Sequence, residues 1–169
     1  MTTQLDHVGI AVRSLAEAIP AFEAALGVTA SMQPVHADPA IQDNWRAMLG
    51  PERSAGGFPV AALVASGARL VLGTDAPTAP FAPLPNLFIA TTRRSALEPS
   101  LPPNEPKNAL PIGDALTHAT AHAAWSCFAE DRLGSLAPGR HADFVVVDPD
   151  VTDSDPERLL AASVLETVV

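Results

Sequence analysis

The chain has 169 residues, 47% hydrophobic and 17% charged, which suits a globular domain and excludes a disordered one. Its formal net charge of −9 with no basic cluster argues against nucleic acid as a partner. No apolar run reaches the length of a membrane span, and residues 1–6 show neither a basic n-region nor an apolar h-region. The single cysteine, Cys127, excludes an internal disulfide framework, and a cytoplasmic location is the expectation.

In chain order, Leu5–Val12 (LDHVGIAV) is expected as a strand. Ser14 with Glu17 forms a capping-box pattern for a helix over 15–26, and Gly27 stops it. Residues 28–35 predict a second strand, and Asp38-Pro39 precedes a helix over 41–49. A short helix over 59–66 is followed by an apolar strand over 68–73 that runs into Thr74-Asp75. Proline is concentrated between Pro77 and Pro111, which predicts a long irregular loop, with a helix over 84–92 inside it. One continuous helix is expected over 112–128, with Leu110, Ala115, Leu116, Ala119 and Ala123 inward. The run DFVVV (143–147) predicts a strand, Asp155-Pro156 a short helix, and 165–169 a last strand. The fold class is therefore α/β: a partial (β/α) barrel-like parallel sheet with helices and a short C-terminal β appendage.

Three segments carry a resemblance: SMQPVH (31–36), LGPER (49–53) and LGTDAP (72–77). They continue into DAL (114–116), TAHAA (120–124) and LGSLAPGRHADFVVVD (133–148). Together they resemble the amidohydrolase superfamily, in particular its exoenzyme-type branch. The resemblance implies a metal-binding (β/α)8 barrel with a small β-sandwich built from both chain ends. The matched segments are its last two barrel strands and final helices (29–132) and its C-terminal sandwich strands (133–169). A whole barrel takes about 250 residues, so this chain is expected to be a fragment.

Residues 1–28 differ. Leu5–Val12, Leu15, Glu17–Ile19 and Leu26-Gly27 resemble the opening βα unit of the vicinal oxygen chelate superfamily, in its methylmalonyl-CoA epimerase or glyoxalase flavour. The two resemblances meet near Gly27-Val28, which reads as a chimeric or truncated product.

The chemistry then falls on few residues. By resemblance, Asp75 is the carboxylate that binds the metal and takes a proton from the attacking water. His7 is a metal ligand, either as the first ligand of a vicinal oxygen chelate site or as the strand-six histidine of a barrel. His36 is a substrate-pocket residue. A hydrolytic zinc site needs three protein ligands and an open position for water. The chain has no His-x-His, so a divalent metal, zinc by expectation, lacks most of its family ligands here. His118 and His122 share one helix face at i, i+4 and are expected to pack, Cys127 to be buried, and His141 to be exposed.

The function implied is a fragment of a metal-dependent hydrolase of C–N bonds other than peptide bonds, not active alone. The alternatives are a metal-dependent epimerase or lyase using His7, and a non-catalytic self-associating remnant. A small-molecule substrate and homo-oligomers are the expected partners; nucleic acid and membrane are not.

Overall fold

The computed structural model describes residues 29–152 and 155–169, together with Ala18 and Ala21. The strand expected over 5–12 and the join near Gly27-Val28 lie outside them. Ala18 and Ala21 are helical, within the helix expected over 15–26.

Strand β1 (Ala30–Met32) pairs in parallel with β2 (Leu70–Leu72), Ala30 opposite Leu70 and Met32 opposite Leu72. A parallel pair needs a long crossover, and α1 (Asp43–Ser54) and α2 (Val60–Ala65) supply it. α1 breaks at Gly50, whose φ of 78° is left-handed, and Pro51, with no N–H to give, restarts it. None of its residues is buried, whereas α2 buries Val60 and Leu63.

The proline-rich stretch contains the helix expected over 84–92, which begins one residue earlier. This is α3 (Pro83–Thr92), the most buried helix, with Asn86 to Ala90 all inside. Pro83 and Pro85 sit in the first turn, where no intrahelical donor is lost, so the prolines start this helix rather than break it. Phe88 and Ile89 are almost fully buried, contributing roughly 1.5–3 kcal/mol each. Arg93 ends the helix in the left-handed conformation. Its guanidinium is fully buried, donates through Nε to the Asn104 carbonyl at 2.9 Å, and leaves both terminal nitrogens without a partner. Burial lowers its pKa to about 10, against the opposing pull of Glu105.

The helix expected over 112–128 is two helices, α4 (Ile112–Ala119) and α5 (Ala121–Ser126). Thr120 leaves helical geometry (φ −120°, ψ −81°) while its hydroxyl donates back to the Leu116 carbonyl at 2.7 Å. The Gly134 turn packs into this joint, so closely that a Cβ there would lie 2.9 Å from Ala121 Cα. The chain continues into β3 (Phe144–Asp148), α6 (Arg158–Ala161) and β4 (Ser163–Val168). β3 and β4 form an antiparallel pair with a register shift between Val146 and Val147. This is the expected C-terminal β appendage.

The core lies between the parallel pair, α2, α3 and α4, with Leu159 of α6 closing one side. Among the described residues the parallel sheet is two strands wide, and two strands do not define a barrel. No helix among the described residues is long and apolar enough to cross a membrane.

Candidate active site

Because β1 and β2 run in the same direction, both C-terminal ends open at one edge. That edge is where parallel α/β folds place their chemistry. After β1 the chain enters a 3₁₀ turn over Pro34–Ala37 that carries His36. After β2 it runs through Gly73 and Thr74 to Asp75. The Gly73 N–H donates to the Met32 carbonyl at 3.0 Å, extending the ladder by one rung. His36 Nε2 and Asp75 Oδ2 then meet at 3.0 Å. Both side chains remain open to solvent, 30% exposed for His36 and 51% for Asp75. Asp75 has φ +61°, and its carbonyl accepts the Ala79 N–H at 3.2 Å. Asp is one of the few residues that tolerate this conformation, so the carboxylate is presented on a tight turn.

Buried polar side chains hold the two strand ends together. Asn86, on α3, accepts the Val35 N–H at 2.8 Å through Oδ1 and donates to the Gly73 carbonyl at 2.9 Å through Nδ2. Gln42, buried, donates to the His36 carbonyl. Asp38, 1% exposed, accepts from the N–H of Ala40 and of Ala96, both at 2.9 Å. Sequence reasoning named Asp38 only as a helix start and missed Asn86 and Gln42. The available signal was one Asn inside the apolar run PLPNLFIA, because a buried polar residue in such a run has a hydrogen-bonding task.

Two clefts flank His36. One, of about 340 Å³, lies against Ile41, Gln42, Trp45 and Phe58. The Trp45 and Phe58 rings pack with centroids 5.1 Å apart. The other, of about 370 Å³, lies between the 78–82 loop, α3 and Ala96-Leu97.

The remaining candidates sit elsewhere. His7 lies outside the described residues. His118 and His122 bring their Nδ1 atoms within 2.9 Å, and His122 Nδ1 lies 3.1 Å from the Leu70 carbonyl. The carbonyl only accepts, so that contact requires a proton on His122 Nδ1, which His118 Nδ1 faces as a second acceptor. His118 is buried, its Nε2 has no partner, and burial together with His122 lowers its pKa against the pull of Asp114. The pair pins the α4–α5 joint to β2, the packing role expected of it. His141 is exposed, as expected. Cys127 is exposed, not buried, because α5 ends at Ser126 and the chain turns away.

For a divalent metal, a carboxylate and an imidazole side by side are suitable donors. They are part of a ligand set: among the described residues no three His, Cys, Asp or Glu side chains converge on one point.

The amidohydrolase family profile matches residues 4–169, which includes the N-terminal stretch. Protein LONG AFTER FAR-RED 3 of Arabidopsis thaliana is 34% identical over 151 residues, 85% of this chain and 24% of that protein. An amidohydrolase-like protein of Bacillus subtilis strain 168, YtcJ, is 31% identical over 121 residues, 72% of this chain and 23% of that protein. N-substituted formamide deformylase of Arthrobacter pascens is 29% identical over 112 residues, 66% of this chain and 20% of that protein. Among solved structures, a metal-dependent hydrolase from Pyrococcus horikoshii superposes with TM-score 0.52 at 27% identity, covering 68% of this chain and 23% of that one. Another from Pyrococcus furiosus gives 0.55 at 24% identity, covering 75% of this chain and 24% of that one. The chain thus spans about a quarter of the length of the relatives it matches. With a family match over nearly its whole length, this chain belongs to the amidohydrolase family.

Proposed function

We propose that this chain carries one side of a metal-dependent amidohydrolase active site, acting on C–N bonds other than peptide bonds in a small-molecule substrate. The observation that carries the reading is the 3.0 Å contact of His36 with Asp75 at the shared C-terminal edge of β1 and β2. Family membership and the similarity to metal-dependent hydrolases support it.

In this reading Asp75 is a metal ligand and the general base. A divalent metal, zinc by expectation, supplies an acidified water when bound. His36 Nε2 holds Asp75 Oδ2, which fixes the carboxylate plane and leaves Oδ1 to take the proton of the water. The water oxygen bonds to the amide carbon, and Asp75 returns the proton to the departing nitrogen as the C–N bond breaks. His36, on the rim of both clefts, also contacts the substrate. We assign the further ligand to His7. The division at 28 and 132, a cytoplasmic location and self-association belong to the same proposal.

The test is metal content of the purified chain by elemental analysis, alongside D75N and H7A. Bound metal lost in D75N supports the reading, and its loss in H7A assigns the second ligand. A folded protein without metal, or one whose metal content D75N leaves unchanged, overturns it.

A further inference from the structure

The cleft between the 78–82 loop and α3 has a chemistry of its own. Its volume of about 370 Å³ falls in the range of small-molecule sites. Its walls are the side chains of Val35, Ile41, Pro80, Pro85, Ile89 and Leu97. Its polar groups are few, and the buried ones are already engaged. Both Asp38 oxygens accept backbone N–H groups, and both ends of the Asn86 amide are used between Val35 and Gly73. No Lys, Arg or Glu lines it. His36, beside Asp75, stands at its rim and offers polar contact there.

We infer that this cleft is a specificity pocket for an uncharged, apolar substituent of the substrate amide, and that it excludes an anionic one. The inference rests on the hydrolase reading of the His36–Asp75 pair and adds the substrate class to it. Three physical points support it. An anionic group entering the cleft leaves water and finds no Lys or Arg side chain. It also approaches the Asp38 carboxylate, whose charge no side chain neutralises within the cleft. A cationic group gains little in return, because Asp38 is 1% exposed with both oxygens occupied. An apolar ring or alkyl group meets surface that gains by losing water. Its amide then reaches the rim, where His36 and Asp75 stand.

The test is calorimetric titration of the full chain, in chelator-treated buffer, with three amides of one shape. These are N-phenylacetamide, its 4-carboxy analogue and its 4-aminomethyl analogue. The expected order is tightest binding for the neutral amide, at least about tenfold weaker for the carboxylate, with the ammonium also weaker. A79F, which fills the cleft from the loop, is expected to abolish binding of the neutral probe while the urea midpoint stays near that of the parent. L97K sits where Leu97 is 70% exposed, so folding tolerates it, and it places a cation at the cleft. It is expected to bring the carboxylate to within about threefold of the neutral probe. No binding, equal binding of neutral and anionic probes, or tightest binding of the ammonium overturns the inference, as does an L97K variant with unchanged preference. These titrations need neither metal nor turnover. Failure of the hydrolase reading shows instead in metal content that D75N does not change.

Discussion

Removing the Asn86 amide tests whether one side chain holds the two halves of the candidate site together. Asn86 is 5% exposed and spans β1 and β2 beyond their ladder, from the Val35 N–H to the Gly73 carbonyl. In N86A both backbone groups lose their partner. Each such loss costs about 1–3 kcal/mol when no substitute is found. Both strand ends are half-buried, so water recovers part of it, and the sum is about 3 kcal/mol. With a urea slope of about 2 kcal/mol/M, the midpoint falls by about 1.5 M. N86D separates the two bonds. A carboxylate still accepts from Val35 but turns an oxygen toward the Gly73 carbonyl, so N86D is expected to lose at least as much as N86A. Val35 adjoins His36 and Gly73 stands two residues before Asp75, so the 3.0 Å contact should loosen with the bridge. Ring-nitrogen NMR of His36 reads that directly. If both variants stay within about 0.5 kcal/mol of the parent and the His36 signals do not move, Asn86 is not the brace described here.

Two further outcomes follow from the α4–α5 joint. His118 is held below its ordinary value of 6.5, so the unfolded chain binds its proton first as pH falls. Its contribution is therefore fully present above pH 6.5 and declines below it, and H118Q should flatten the urea-midpoint profile between pH 6.5 and the carboxylate range. G134A should cost about 2–4 kcal/mol by the same assay. Gly134 has φ +85°, and an added Cβ would lie 2.7 Å from Ala124 Cβ and 2.9 Å from Ala121 Cα. A loss below about 1 kcal/mol would mean the turn moves freely away from the helices.

The parts of the fold that the sequence made legible are those set by local pattern. The apolar run ending in Gly-Thr-Asp places β2 and delivers Asp75 to a strand end, and the i, i+4 spacing of His118 and His122 brings their rings together. What was not legible depends on distant partners. The break at Thr120 interrupts a continuous helical pattern at the place where the Gly134 turn packs against the helices. The helix over 84–92 is legible in the sequence, but the burial of its middle, Asn86 to Ala90, depends on the elements packed around it. Cys127 looks inward only if the helix continues, and it does not. The pairing of His36 with Asp75 joins residues 39 positions apart, and no local pattern encodes such a distance. It follows from the parallel register of β1 on β2.

Asp75 combines chemistry with backbone conformation, and its variants must separate the two. At φ +61° an alanine carries a cost of about 1–2 kcal/mol that glycine does not, while Asn and Asp visit this region readily. D75A therefore removes the carboxylate and adds strain, D75G removes the carboxylate without that strain but frees the unfolded chain, and D75N keeps the shape and the hydrogen-bond acceptor for His36. The expected stability order in urea is D75N near the parent, D75G next, and D75A lowest by about 1 kcal/mol relative to D75G. All three should lose the metal and the proton transfer assigned to the carboxylate. A D75A protein as stable as D75G would show that the turn relaxes without Asp, and the left-handed geometry would then have no part in presenting the carboxylate. With the predicted order, loss of metal in the stable D75N variant is attributable to the missing carboxylate charge and not to a disturbed turn.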